Sequence, residues 1–88
     1  MKFIQIQYFC GVVEHGGFIA AAAQLNIAQP ALSRQISELE KELDCKLLSR
    51  GPGGTTVTDE GNRFYAHAKK IMDQIVTAKA DLKLGSSR

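Results

Sequence analysis

No stretch of the sequence approaches the roughly 18–20 consecutive apolar residues of a membrane-spanning helix. Its first residues, Met1-Lys2-Phe3-Ile4-Gln5, are interrupted by polar side chains and lack the unbroken apolar core of a signal peptide. A cytoplasmic location with no membrane partner is expected. Cysteine is scarce: Cys10 and Cys45 lie 35 positions apart, each beside apolar residues, and read as small buried hydrophobes. With only His15 and His67 to join them, no metal-ligand spacing exists, so neither a metal site nor a cofactor is expected. Catalytic signatures are missing too. No base stands at a useful spacing from an activated nucleophile, and Gly51-Pro52-Gly53-Gly54 lacks the following lysine and helix of a phosphate loop. An enzyme is not expected.

What remains is an 88-residue chain, 44% hydrophobic and 23% charged, enough for one small domain with an extension. The net charge of +2 is unevenly spread. Residues 1–44 carry three basic and five acidic side chains, residues 45–88 eight and four. That bias permits an anionic partner without demanding one.

Apolar spacing organises the chain. Phe3, Ile6, Phe9, Cys10 and Val13 form one stripe of a helix over 3–14, ended by His15-Gly16-Gly17. Phe18, Ala20–Ala23 and Leu25 make a short second helix over 18–25, its alanines allowing close approach of a neighbour. Asn26 suits a left-handed turn. Pro30 opens a third helix over 30–43, with Leu32, Ile36, Leu39 and Leu43 as its buried face. Residues 46–50 and 55–58 read as two strands around a glycine-proline turn. Thr58 then caps a long helix over 59–84, and Asp59 and Glu60 favour the positive end of its dipole. Phe64, Ala68, Ile71, Ile75, Ala78 and Leu82 alternate spacings of four and three, the repeat of a coiled-coil seam. At 1.5 Å per residue that helix runs ~39 Å. Its near part can pack on the first helix, but its far half must find another surface.

Two helices joined by a tight turn, at 18–25 and 30–43, make a helix-turn-helix, and the hairpin at 46–58 makes a wing. In such a motif the second helix enters the DNA major groove and its amino-terminal side chains meet base edges. The third helix offers Gln29, Ser33 and Arg34 there: Arg suits guanine, Gln adenine, Ser either, and Pro30 can meet a thymine methyl. Ser37 and Lys41 lie further along the same face, open to contact or to solvent. Glu38, Glu40, Glu42 and Asp44 make the far end acidic, so it should tilt away from phosphate. An alternative is a protein-interaction module, with the long helix as an assembly device.

The chain resembles the amino-terminal DNA-binding region of the LysR-type bacterial transcriptional regulators. The matching segments are Tyr8-Phe9, Ala21-Ala22-Ala23-Gln24-Leu25, Ile27 through Ile36 (IAQPALSRQI), Leu39-Glu40, Leu47-Leu48-Ser49-Arg50 and Thr58-Asp59-Glu60-Gly61. The resemblance implies a mainly α fold: a winged helix-turn-helix at 1–58 (three helices plus a two-stranded wing) and a dimerisation linker helix at 59–84. Residues 85–88 would begin an interdomain linker. It implies base contacts at Gln29, Pro30, Ser33 and Arg34, with Ser37 on the same face. It also implies a backbone or minor-groove contact at Arg50, and a phosphate near Thr58. A homodimer along Phe64, Ala68, Ile71, Ile75, Ala78 and Leu82 would present two reading helices to double-stranded promoter DNA. A longer parent would add an effector-binding domain for a small molecule, and tetramers. Three departures remove hydroxyls or charge near the phosphates: Gly17-Phe18-Ile19 opening the second helix, Ala28 before Gln29-Pro30, and the uncharged tip Gly51–Gly54. Weaker binding by the isolated domain, with more reliance on dimerisation, is the expected consequence.

Overall fold

The computed structural model describes residues 1–86, with side-chain detail to residue 83. Three helices come first: α1 (Phe3–His15), α2 (Phe18–Leu25) and α3 (Gln29–Leu43). A hairpin follows, β1 (Leu48–Gly51) and β2 (Gly54–Val57), and then α4 (Asp59–Ser86). The mainly α, winged helix-turn-helix architecture expected from the sequence is the one found.

Local chemistry sets the helix ends. The Gln5 side chain accepts from the Lys2 N–H at 3.1 Å, which satisfies a free donor ahead of α1. Gly16 closes α1 in the left-handed region, φ 80°, and donates back to the Val12 carbonyl. Asn26 (φ 55°) ends α2 and Asp44 (φ 54°) ends α3 in the same conformation, which short polar side chains tolerate. Neither α2 nor α3 has a side-chain cap at its start, where Gly17 and Ala28 stand. Pro30 sits in the first turn of α3.

One core joins the three helices and the first strand. Phe9, Val12, Phe18, Ala21, Ala22, Leu32, Ile36, Leu39, Leu47 and Leu48 are buried together. The stripe expected on α1 is incomplete. Phe3 is exposed, while Gln5 and Val12 are buried, because α1 is covered on two sides, by α2 and α3 and by α4. Gln5 spends its amide on Gln35 of α3 at 3.2 Å. A second cluster of Ile6, Cys10 and Ala68, flanked by Phe64, Tyr65 and Met72, glues α4 to α1. Phe9 meets the edges of Phe64 and Tyr65 at centroid distances of 5.3 and 6.5 Å.

The hairpin differs from its expected outline of strands at 46–50 and 55–58. It pairs Leu48 with Val57 and Gly51 with Gly54 around a two-residue turn, Pro52-Gly53. Gly54 takes φ 107°, open to glycine at little cost, so the strands pair closer to the tip. At the other end the Leu47 and Leu48 N–H groups are claimed by a carboxylate of α3. Helix α3 begins at Gln29, one residue earlier than Pro30, and α4 extends through Gly85 and Ser86. The linker expected at 85–88 therefore overlaps α4, and its last two positions lie outside the described residues. At 28 residues, α4 would measure ~42 Å at 1.5 Å per residue, in a molecule of 55 × 25 × 19 Å.

Candidate nucleic-acid interface

The amino-terminal turns of α3 are open to solvent on one side and locked on the other. Leu32, Ile36 and Leu39 are buried. Gln29, Pro30, Arg34 and Ser37 are exposed, and Ser33 is half-buried. The helical period makes this division: positions 30, 33, 34 and 37 share a face opposite the leucine side.

Two side-chain links tie α3 to the wing. At the outer link, Arg50 of β1 donates from its guanidinium to Ser33 Oγ at 2.9 Å. The same guanidinium lies over the ring of buried Phe18, with Cζ 3.6 Å from the centroid. At the inner link, Glu40 Oε2 accepts from the Leu47 N–H at 2.8 Å and the Leu48 N–H at 3.1 Å. Lys46 Nζ approaches its other oxygen at 3.8 Å. Between the links lies a cleft of about 520 Å³, lined among others by Ser33, Ser37, Lys46, Ser49, Arg50 and Thr58. Phe18, Ile36, Leu48 and the Glu40 carboxylate complete the lining, so hydroxyls and two cations share it about equally with apolar surface.

Glu40 differs from Glu38, Glu42 and Asp44, with which the sequence reading groups it as the acidic far end of α3. It is 8% exposed and spends its charge on backbone donors that would otherwise be buried without partners. Its place on the apolar side of the helix is the available signal: Ile36, Leu39, Glu40 and Leu43 recur at helical spacing. Glu42 is exposed and pairs with the Met1 ammonium at 2.6 Å.

Thr58 is the expected cap. Its Oγ1 accepts from the Gly61 N–H at 2.9 Å and donates to the Lys46 carbonyl at 2.6 Å. The hydroxyl proton is thus already committed within the chain. Spacing alone gives Gly61 no such importance. A Cβ there would fall on the Leu47 carbonyl oxygen and within 2.8 Å of Val57 Cγ1, so only glycine lets α4 start against the wing.

The seam of α4 divides in two. Phe64 is half-buried and Ala68 is fully buried (0%), both against α1. Ile75 is half-buried. Ile71 (39%) and Leu82 (71%) are exposed, as is Ala78. Glu14 reinforces the inner half: it accepts from the Tyr65 hydroxyl at 2.7 Å and pairs with Lys69 at 3.8 Å. That hydrogen bond, with burial second, raises the Tyr65 pKa to about 12. Burial, then the Glu14 charge, raises the Cys10 thiol to about 11. Cys10 is buried and Cys45 half-buried, and both are free thiols. Among the described residues, no group of three or more His, Cys, Asp or Glu could hold a metal ion, and no helix is long and apolar enough to cross a membrane.

A reading helix bound to a wing and followed by a long rod defines a winged helix-turn-helix domain. The family model described as "Bacterial regulatory helix-turn-helix protein, lysR family" matches residues 3–62. The chain belongs to that family, as its helix-turn-helix domain. It is 45% identical over 75 residues to the HTH-type transcriptional regulator BenM of Acinetobacter baylyi, covering 85% of this chain and 25% of BenM. It is 44% identical over 79 residues to the nitrogen assimilation regulatory protein nac of Escherichia coli, covering 90% of this chain and 26% of nac. Among solved structures, a BenM DNA-binding domain in complex with catB site 1 DNA superposes with a TM-score of 0.94 at 41% identity, covering 100% of this chain and 99% of that one. A CbnR DNA-binding domain–DNA complex gives 0.86 at 34% identity, covering both chains completely. The chain spans about a quarter of the length of these curated relatives.

Proposed function

We propose that the chain is a sequence-specific DNA-binding domain of a bacterial transcription regulator. It reads double-stranded promoter DNA through Gln29, Pro30, Ser33 and Arg34, with Ser37 further along the groove. Arg50 and Thr58 flank this face from the wing and the start of α4. The observation that carries the reading is the exposed, polar amino end of α3, fixed to the wing at Ser33 and Glu40 while Arg34 stays free to reach outward. The acidic far end remains outside the groove. Two such domains pair as a homodimer along Ile71, Ala78 and Leu82, which the protomer leaves exposed, and half-buried Ile75 between them. The domain acts in the cytoplasm, without catalysis. In a longer parent, a carboxy-terminal domain would receive a small-molecule effector and assemble tetramers.

Titrating the 88-residue chain onto fluorescent duplexes from its own upstream region tests this. Binding should weaken steeply with salt, with a log–log slope of about −0.9 per phosphate neutralised, and an unrelated duplex should compete poorly. Arg34→Ala should cost about 1–3 kcal/mol and relax the base preference at one position. Binding without sequence preference defeats the reading. Salt-insensitive association with another protein would favour an interaction module instead.

A further inference from the structure

Arg50 has a role that its charge alone does not describe. Arginine offers only donors, whereas a serine hydroxyl has one donor and two lone pairs. In this structure a guanidinium N–H of Arg50 donates into Ser33 Oγ at 2.9 Å, which consumes one of those lone pairs. The hydroxyl proton is left pointing elsewhere, and a positive donor at the oxygen makes that proton a better donor in turn. A second contact favours the same pose: the guanidinium lies 3.6 Å from the centroid of Phe18, and Phe18 is part of the main core. For Arg50 to reach outward it would give up a stack and a charge-assisted hydrogen bond together.

We propose that Arg50 is a specificity-positioning residue: from the wing it biases Ser33 of α3 to act as a hydrogen-bond donor toward the base it meets. An unbraced serine accepts either a donor or an acceptor on the base edge. A braced one favours the acceptors of the groove edge, the N7 atoms of guanine and adenine, guanine O6 and thymine O4, over the amino groups of cytosine and adenine. The inference rests on the DNA-binding reading above and replaces a phosphate contact by Arg50 with an action through Ser33.

The test begins with selection of the preferred site from randomised duplexes by the unaltered 88-residue chain. Failure to select any sequence at this stage sinks the DNA reading, and this inference with it, before any variant is made. With a site in hand, all four base pairs are compared at each position for Ser33→Ala, Arg50→Ala, Arg50→Met and the Ser33→Ala/Arg50→Ala double variant. Circular dichroism melts verify folding. Arg50→Met keeps an apolar arm over Phe18 without a donor and serves if the alanine variant unfolds. Discrimination at one shared position should fall from about tenfold to about twofold in each single variant. The double variant should lose no more than either alone, and the salt slope should not change. A drop of about 0.9 in the slope magnitude, with all sequences weakened alike, would make Arg50 a phosphate contact and overturn the proposal. Relaxation at two different positions, or additive losses, would overturn it equally.

Discussion

The two long helices of this domain carry opposite kinds of exposed face and are held in opposite ways. Helix α3 presents polar side chains and is pinned to the wing at both ends, by Ser33–Arg50 and by Glu40 on the Leu47 and Leu48 N–H groups. Helix α4 presents an apolar seam and packs on α1 through Phe64, Tyr65, Ala68 and Met72 of its first half. Under the function proposed above, the difference follows from what each face must do. Polar recognition depends on placing donors and acceptors to within a fraction of an ångström, so its helix is braced against its own protomer. Apolar association is non-directional and tolerates a rod whose outer half takes its final position from whatever covers it.

The contrast can be broken most severely at the joint between the two helices. Gly61→Ala should cost about 3 kcal/mol or more in urea unfolding, since its methyl overlaps the Leu47 carbonyl. An unchanged midpoint would mean that α4 does not start against the wing. Next comes the inner brace. Glu40→Ala strands two buried backbone donors and should cost about 2–3 kcal/mol. Glu40→Gln should cost less, because its amide oxygen still accepts. Equal losses for the two would show that charge and not hydrogen bonding holds the joint.

Within α4, Ala68 and Ala78 give the sharpest internal comparison. Ala68→Leu overfills the α1–α4 contact and should lower stability by about 1–3 kcal/mol. Ala78→Leu should leave protomer unfolding within about 0.5 kcal/mol, and sedimentation should report self-association unweakened. Similar unfolding penalties at both sites would erase the division of the seam. The smallest effect concerns the latch at Glu14. The Tyr65 hydroxyl loses its proton at about pH 12 in the fold, against 10 ordinarily. A raised pKa favours the protonated fold, so this contribution is complete below pH 10 and is lost as pH climbs toward 12. Tyr65→Phe should therefore flatten the alkaline limb of a Tm-against-pH curve over that interval. A limb of unaltered steepness would remove Tyr65 from the latch.

Much of this is legible from spacing alone. The period of Leu32, Ile36 and Leu39, the Gly16 and Asn26 stops, and the Thr58 cap each depend on neighbours within a turn or two, and local rules reach that far. Glu40 escapes them because a carboxylate's worth depends on which backbone donors fold against it, and those come from seven and eight residues downstream. Arg50 is offered by the family resemblance only as a backbone or minor-groove contact, and its partners within the fold escape for the same reason, since neither Phe18 nor Ser33 is near it in the chain.

By itself, then, the order of residues determined the helices, the turn and the alternation of greasy and polar faces, because these are set by backbone geometry and side-chain period. Only the packed structure decided which apolar positions of α4 are consumed at home and which are left over, and which charged groups are ties and which face outward. Burial and hydrogen-bond partnership are properties of pairs of distant segments, and no single segment carries them.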